Sequence, residues 1–318
     1  MDLSLFLADT SKNRVLASKI PQVCKNEPCI LGIDEAGRGP VLGPMVYGCS
    51  FYPKSFEKEF SQMKFADSKT LTEAQREELF EMLNNEENGQ NIGWRIEILS
   101  PNFLSNSMLA MSKYNLNEIS HDAAARLVRE VVKQGAKITE VYVDTVGPAD
   151  KYQAKLSAQF PDIKFTVCPK ADSKYPSVSA ASICAKVGRD RALKEWKFVE
   201  KFDQEMVAAK FTADKFGCGY PSDPKTKTFL KDVFDPVFGF PQLIRFSWST
   251  AEKIVEKDGV NVDWLVTLLF PPLLFFFVIV DFFLYARRDD LLQSGTKPAI
   301  AMMNKSKRCR LMRELNLK

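Results

Sequence analysis

The chain has 318 residues, 45% apolar and 26% charged, enough to bury one large core, which excludes disorder as its main state. Its 44 basic and 40 acidic side chains leave only +4, too little to argue for a polyanion partner without knowing where the charges lie. A single histidine, His121, excludes an HExxH zinc site and paired-histidine phosphohydrolases, so chemistry must run on carboxylates, amines, hydroxyls or thiols.

The N-terminus, MDLSLFLADTSKNR, lacks a basic stretch followed by a long apolar one, so no secretory signal is expected. CILGID (29–34) and MVYGCSF (45–51) are β-rich runs joined by a Gly/Pro-rich connector, which predicts adjacent strands. Thr72 followed by Gln75 is a capping box opening the helix EAQREELFEML. GWRIEIL (93–99) alternates as a half-buried strand, and Ser100-Pro101 starts a helix. A long amphipathic helix is expected from about Asn115 to Gln134, with Leu116, Ile119, Ala123, Leu127 and Val131 on one face and Gly135 as its stop. VYVD (141–144) and KFTV (164–167) read as further strands and 177–198 as a helix. Helical sequence from about Lys225, a strand-like LIRFSW and a helix over 250–257 follow. Strands alternating with crossover helices predict an α/β layer around a mainly parallel or mixed sheet. Seven scattered cysteines without a CxxC pair read as reduced thiols of a cytosolic or nuclear protein.

Four carboxylates stand at strand ends. Asp34 and Glu35 follow LGI, Asp144 ends VYV, and Asp172 comes shortly after KFTV. Taken singly, each is ordinary turn or cap chemistry. Together, each in a Gly- or Pro-rich context, they predict convergence beyond the carboxyl ends of neighbouring strands. Such a cluster repels itself unless cations bind, and all-oxygen ligands suit Mg²⁺ or Mn²⁺ and a two-metal clamp for phosphodiester hydrolysis. In DEAGRGPVLGP, Gly37, Gly39 and Gly43 allow a row of backbone N–H donors for a phosphate or sugar hydroxyl, with Arg38 adding charge. The spacing fits neither a Walker A loop nor GxGxxG.

GIDEAGRGPVLGPMVYG, ADSKTL, KYNLN, VYVDTVGP, SAASICAKV, GYPSDPKTK and FGFPQLIRFSW, in this order, resemble the catalytic subunits of the eukaryotic type 2 ribonucleases H, of the ribonuclease HII family. The resemblance covers roughly residues 1–264. It implies a ribonuclease H-like α/β fold, a mixed central sheet flanked by helices with a helical C-terminal extension. It further implies an endonuclease using two divalent ions, Mg²⁺ or Mn²⁺, that cuts the RNA strand of RNA/DNA hybrids. Single ribonucleotides in duplex DNA would be incised on their 5′ side, leaving a 3′-hydroxyl and a 5′-phosphate. Ribonucleotide excision repair, RNA primer removal, accessory subunits B and C, and a nuclear location are implied as well.

By this resemblance Asp34, Glu35, Asp144 and Asp172 are the catalytic, metal-binding acids. Gly37, Arg38 and Gly39 would contact the backbone at the ribonucleotide, where main-chain groups can meet the 2′-hydroxyl. Tyr220 would stack on the sugar at the RNA-to-DNA junction, or else is a turn aromatic packed on Pro221. Lys69 would meet a phosphate, or is a solvated lysine before a helix. Asn115 is a polar substrate contact or the cap of the long helix. His121 reads as a structural histidine, and Cys184 and Cys218 as packing residues. A fold that keeps nucleic-acid binding without catalysis is the competing reading, disfavoured by the complete set of acids.

The expected organisation is one catalytic unit, 1–263, with its sheet core at about 28–200 and a helical part at 201–263, then an atypical tail, 264–318. Residues 264–285 are long and apolar enough to span a bilayer, with Asp281 as their one charge, but Pro271-Pro272 and that acid oppose a lone spanning helix. Leu, Phe and Pro all have pyrimidine-only codons, and 268–277 contains nothing else, as translation through a pyrimidine tract before a splice acceptor would give. A retained intron, a membrane anchor making this a tethered nuclease, and a core or interface segment are the three readings. The tail lacks the family's usual polar continuation, which bears on assembly with the accessory subunits. It holds nine of the basic and four of the acidic residues, leaving 35 against 36 in residues 1–263.

Overall fold

A computed structural model of the chain describes residues 1–63, 65, 71–112, 114–200 and 215–260. Six strands form one sheet: β1 (Arg14–Ala17), β2 (Cys29–Ala36), β3 (Met45–Pro53), β4 (Gly93–Leu99), β5 (Ile138–Asp144) and β6 (Lys164–Cys168). Their order is β1-β4-β3-β2-β5-β6, with β1, β4, β3 and β2 antiparallel to their neighbours and β2, β5 and β6 parallel. The sheet is therefore mixed, as expected. Its core begins earlier than residue 28, because β1 adds an edge strand that its short, half-polar sequence does not announce.

After the short helices α1 (Ser4–Ala8), α2 (Gln22–Asn26) and α3 (Glu57–Gln62), longer helices cover both faces. One face carries α4 (Glu73–Asn84) and α8 (Pro176–Lys194), and its core joins Ile30, Val46, Ile96 and Ile98 to Ala180, Ile183 and Cys184. The other carries α6 (Leu116–Lys133) and α7 (Ala149–Gln159), where Leu31, Ile33, Tyr47 and Phe51 meet Ile119, Ala123, Leu127 and Val131. The alternation read in GWRIEIL does not mark a solvated face: every residue of β4 is buried, and Glu97 pairs with Arg126 of α6 at 3.0 Å. A strand covered on both sides needs a partner for each inward charge.

The predicted caps form. Thr72 and Gln75 exchange hydrogen bonds at the start of α4, and Ser100 Oγ accepts from Phe103 N–H (3.0 Å) to open α5 (Pro101–Leu109). The C-terminal extension contributes α9 (Pro224–Asp232) and α10 (Ser249–Asp258). LIRFSW is not a strand; it forms one antiparallel bridge, Leu42 to Ile244, and buries Leu243 and Ile244 in the core. Among the described residues no helix is long and apolar enough to cross a membrane. The tail 264–318, with the anchor and intron readings, lies outside the described residues, as does Lys69.

The backbone of α8 lies directly on β2 and β3. A Cβ on Gly32 would stand 2.2 Å from the carbonyl carbon of Ser177, and one on Gly48 2.7 Å from the Ala181 carbonyl oxygen. Gly32→Ala is therefore expected to destabilise the chain by about 1–3 kcal/mol, the usual cost of overpacking. Gly89→Ala, with nothing within 4 Å, is the control. Urea unfolding of the two variants checks this, and equal midpoints would contradict the packing account.

Candidate active site

The parallel pairing of β2 with β5 fixes the first two acids. One step beyond the pair Ile33 and Val143, Asp34 and Asp144 become neighbours on adjacent strands, whose backbones run about 4.8 Å apart. Side chains alternate, so both share the face of Gly32 and Tyr142, toward α8. After β6 the chain reverses through Lys170, whose φ of 55° is left-handed, into a short 3₁₀ turn carrying the buried Asp172. Asp144 Oδ1 accepts the Ala171 N–H at 2.9 Å, which ties that turn to the end of β5. Asp34 accepts the Glu35 N–H at 2.7 Å and a hydrogen bond from Ser182 of α8.

These three carboxylates act on one another. Burial is the main force raising the Asp34 pKa, to about 7, and the charges of Asp144 and Asp172 add to it, against the lowering effect of Ser182. Among the described residues no three His, Cys, Asp or Glu side chains form a ready-made metal cage. The donors are nonetheless all oxygens, the acids repel one another, and a hard divalent cation relieves that repulsion, so the residues fit such an ion.

Glu35 departs from simple convergence. It pairs with Tyr47 on the α6 side of the sheet, and its charge raises the pKa of Tyr47 after the larger effect of burial, with Tyr152 also nearby. Three of the four predicted acids thus share one face and the fourth stands on the other at the same strand end.

Beyond Ala36 the chain enters the Gly37–Gly43 loop. Gly37 has φ 78°, and a Cβ there would stand 2.2 Å from Arg189 Nε and 2.8 Å from the Pro44 carbonyl oxygen. Arg38 turns toward the first turn of α6: Nη1 donates to the Leu116 carbonyl (3.3 Å) and Ser120 Oγ, and Nη2 to Asn117 Oδ1. Tyr220, 48% exposed, lies against Gly39, where an added Cβ would stand 2.9 Å from its ring. Val41 N–H donates to the Gly219 carbonyl (2.8 Å), joining the tyrosine's loop to the glycine loop. Asp223 holds that second loop by accepting from the Cys218 N–H (2.9 Å) and from Thr226, bonds that lower its pKa to about 2.

Asn115 caps α6, its Oδ1 accepting from the N–H groups of Asn117 (2.9 Å) and Glu118 (3.1 Å), so the cap reading is realised. His121 stacks on Tyr152 with 3.8 Å between centroids and pairs with the Val146 carbonyl at 3.1 Å; burial lowers its pKa. It is structural, as read. Cys184 is buried, but Cys218 is exposed and is not a packing residue. Ser182 lies within SAASICAKV, and Arg245 and Trp248 within FGFPQLIRFSW, yet sequence reading gives none of the three a role. The signal in the last pair was a charged residue set between Ile244 and Phe246 in an otherwise apolar run.

The model of the family described as ribonuclease HII matches residues 31–251. A rat protein, the A component of ribonuclease H2, is 53% identical over 264 residues, 83% of this chain and 85% of its own. The Arabidopsis thaliana protein of the same name is 52% identical over 239 residues, 75% of this chain and 77% of its own. The crystal structure of ribonuclease H2 from Pyrococcus horikoshii superposes with a TM-score of 0.55 at 31% identity, covering 73% of this chain and all of that one. A ribonuclease HIII (Bst-RNase HIII) solved in complex with Mn²⁺ shares the fold at 16% identity, with a TM-score of 0.51 over 75% of each chain. With the family match running from β2 past both loops, and identities above one half, the chain belongs to the ribonuclease HII family, a family of ribonuclease H hydrolases.

Proposed function

We propose that the chain is the catalytic subunit of a type 2 ribonuclease H that hydrolyses the RNA strand of RNA/DNA hybrids. It also incises on the 5′ side of single ribonucleotides in duplex DNA, leaving a 3′-hydroxyl and a 5′-phosphate. The observation that carries this reading is the adjacency of two devices on consecutive residues of one chain segment. Asp34, beside Asp144 and Asp172, runs within three residues into the Gly37–Gly43 loop, and Tyr220 lies against Gly39.

Asp34, Asp144 and Asp172 would hold the divalent ions, Mg²⁺ or Mn²⁺, with Glu35 reaching the same strand end from the opposite face. When bound, two such ions neutralise the acids and supply Lewis-acid stabilisation of charge on the phosphate in an in-line displacement. The chain's own residues position the substrate. The loop amides would meet the ribose 2′-hydroxyl and Tyr220 would stack on the sugar beyond it. Arg38 acts through the first turn of α6, and Asn115 keeps that turn in place. Lys69 is assigned to a phosphate by the family motif ADSKT.

The same reading assigns the chain to accessory subunits B and C, to ribonucleotide excision repair and primer removal, and to the nucleus. The test is incision of a duplex carrying one ribonucleotide, in Mg²⁺ and in Mn²⁺, with and without the accessory subunits. Cleavage on the 5′ side of the ribonucleotide is expected, with the all-DNA duplex intact. Failure with both ions and all subunits present, or equal cutting of both duplexes, overturns the reading.

A further inference from the structure

Among the described residues Arg245 is the largest fully buried side chain. Taking a guanidinium out of water is costly unless its N–H groups find acceptors. Among the described residues it makes no ion pair; its acceptors are backbone carbonyls of the glycine loop. Nε donates to Gly43 (2.8 Å), Nη1 to Arg38 (3.2 Å) and Nη2 to Gly37 (2.6 Å). Its own backbone N–H donates to the Val41 carbonyl at 2.8 Å. The guanidinium lies 4.8 Å from the Trp248 ring centre, and the Trp248 indole N–H donates to the Gly39 carbonyl at 3.2 Å.

Four carbonyls of one loop, those of Gly37, Arg38, Gly39 and Gly43, therefore point at two side chains. In a planar trans peptide the N–H points opposite to the carbonyl of the same unit. Turning the Gly37 and Arg38 carbonyls inward thus turns the Arg38 and Gly39 N–H groups outward. The Gly39 carbonyl precedes Pro40, which has no N–H, so no donor is misdirected there. A groove of about 410 Å³ beside the loop is lined in part by Arg38, Gly39, Leu116 and Trp248.

We infer that Arg245 and Trp248 are positioning residues for ribose recognition: by anchoring the loop's carbonyls they aim the Arg38 and Gly39 amides at the sugar's 2′-hydroxyl. This rests on the proposed reading of the loop as the ribose reader. The pair spends its donors on the loop's carbonyls. Its work is geometric, and its loss should cost discrimination between ribose and deoxyribose more than it costs affinity for duplex.

The experiment measures Kd for two duplexes identical but for one ribonucleotide, using the full chain carrying Asp34→Asn so that neither is cut. The quantity read is the ratio of the all-DNA to the ribonucleotide Kd. Trp248→Phe keeps a ring under the guanidinium and deletes one hydrogen bond, and should lower the ratio about fivefold. Arg245→Lys keeps the charge but cannot span three carbonyls, and should lower it tenfold or more. Thermal unfolding of each variant runs alongside. A lowered melting temperature with an unchanged ratio in both variants means that the pair serves stability alone, and overturns the inference. A ratio near one in the Asp34→Asn parent overturns the ribose-reading role of the loop, and the inference with it.

Discussion

Asp34→Asn is expected to lower cleavage by about three orders of magnitude or more while leaving hybrid binding largely intact. Metal-assisted stabilisation of phosphate charge is worth several kcal/mol, and each 1.4 kcal/mol is tenfold in rate. The substitution keeps the shape and an oxygen to accept the Glu35 N–H and the Ser182 hydrogen bond, so the strand end has no reason to move. Stability separates loss of chemistry from loss of fold. The folded pKa of Asp34, about 7, lies above its ordinary 3.8. A raised carboxyl pKa means that the unfolded state releases this proton first, so the wild type loses stability as pH rises from about 3.8 toward 7. In chelator the asparagine variant should lack that loss and melt no lower than wild type at neutral pH. Adding Mg²⁺ should raise the wild-type melting temperature and the variant's much less. Near wild-type turnover in the variant would remove Asp34 from the chemistry.

The acids were legible because strand ends and Gly/Pro contexts are local properties, and the parallel pairing of β2 with β5 then brings Asp34 to Asp144 without further information. The caps of α4, α5 and α6 were legible for the same reason. What escaped depends on contacts distant in sequence. Arg95 and Glu97 look solvated until α6 covers them and Arg126 arrives to pair with Glu97. LIRFSW has a strand's composition, yet Arg245 in its middle is spent on a loop two hundred residues earlier, which replaces a ladder by side-chain hydrogen bonds. Glu35 follows Asp34 in the same strand, and adjacency in a strand puts the two side chains on opposite faces, which the string of acids does not display.

Gly37→Ala should have the second large effect, on activity more than on the stability of the whole chain. At φ 78° an L-residue is strained whatever surrounds it, by about 1–3 kcal/mol. Here the surroundings add to it, because the new methyl would stand 2.2 Å from Arg189 Nε and 2.8 Å from the Pro44 carbonyl. The arginine is met at mid-chain and held to the Leu42 carbonyl, and the backbone carbonyl cannot give, so the loop must shift away from Pro44. Such a shift moves the Gly37 carbonyl off Arg245 and carries the next two amides with it, three residues from Asp34. A displacement of about 1 Å at a positioning group costs roughly 100-fold in rate. The expected result is therefore a fall in kcat of about that size on a duplex with one ribonucleotide, with unfolding still cooperative. Divalent-ion affinity should stay near wild type, because Asp34, Asp144 and Asp172 are fixed by β2, β5 and the turn after β6 rather than by the loop. Titrating the cation by its effect on melting temperature reads that second quantity independently of cleavage. A variant that loses cation affinity and activity together would place the loop within the carboxylate site instead of beside it.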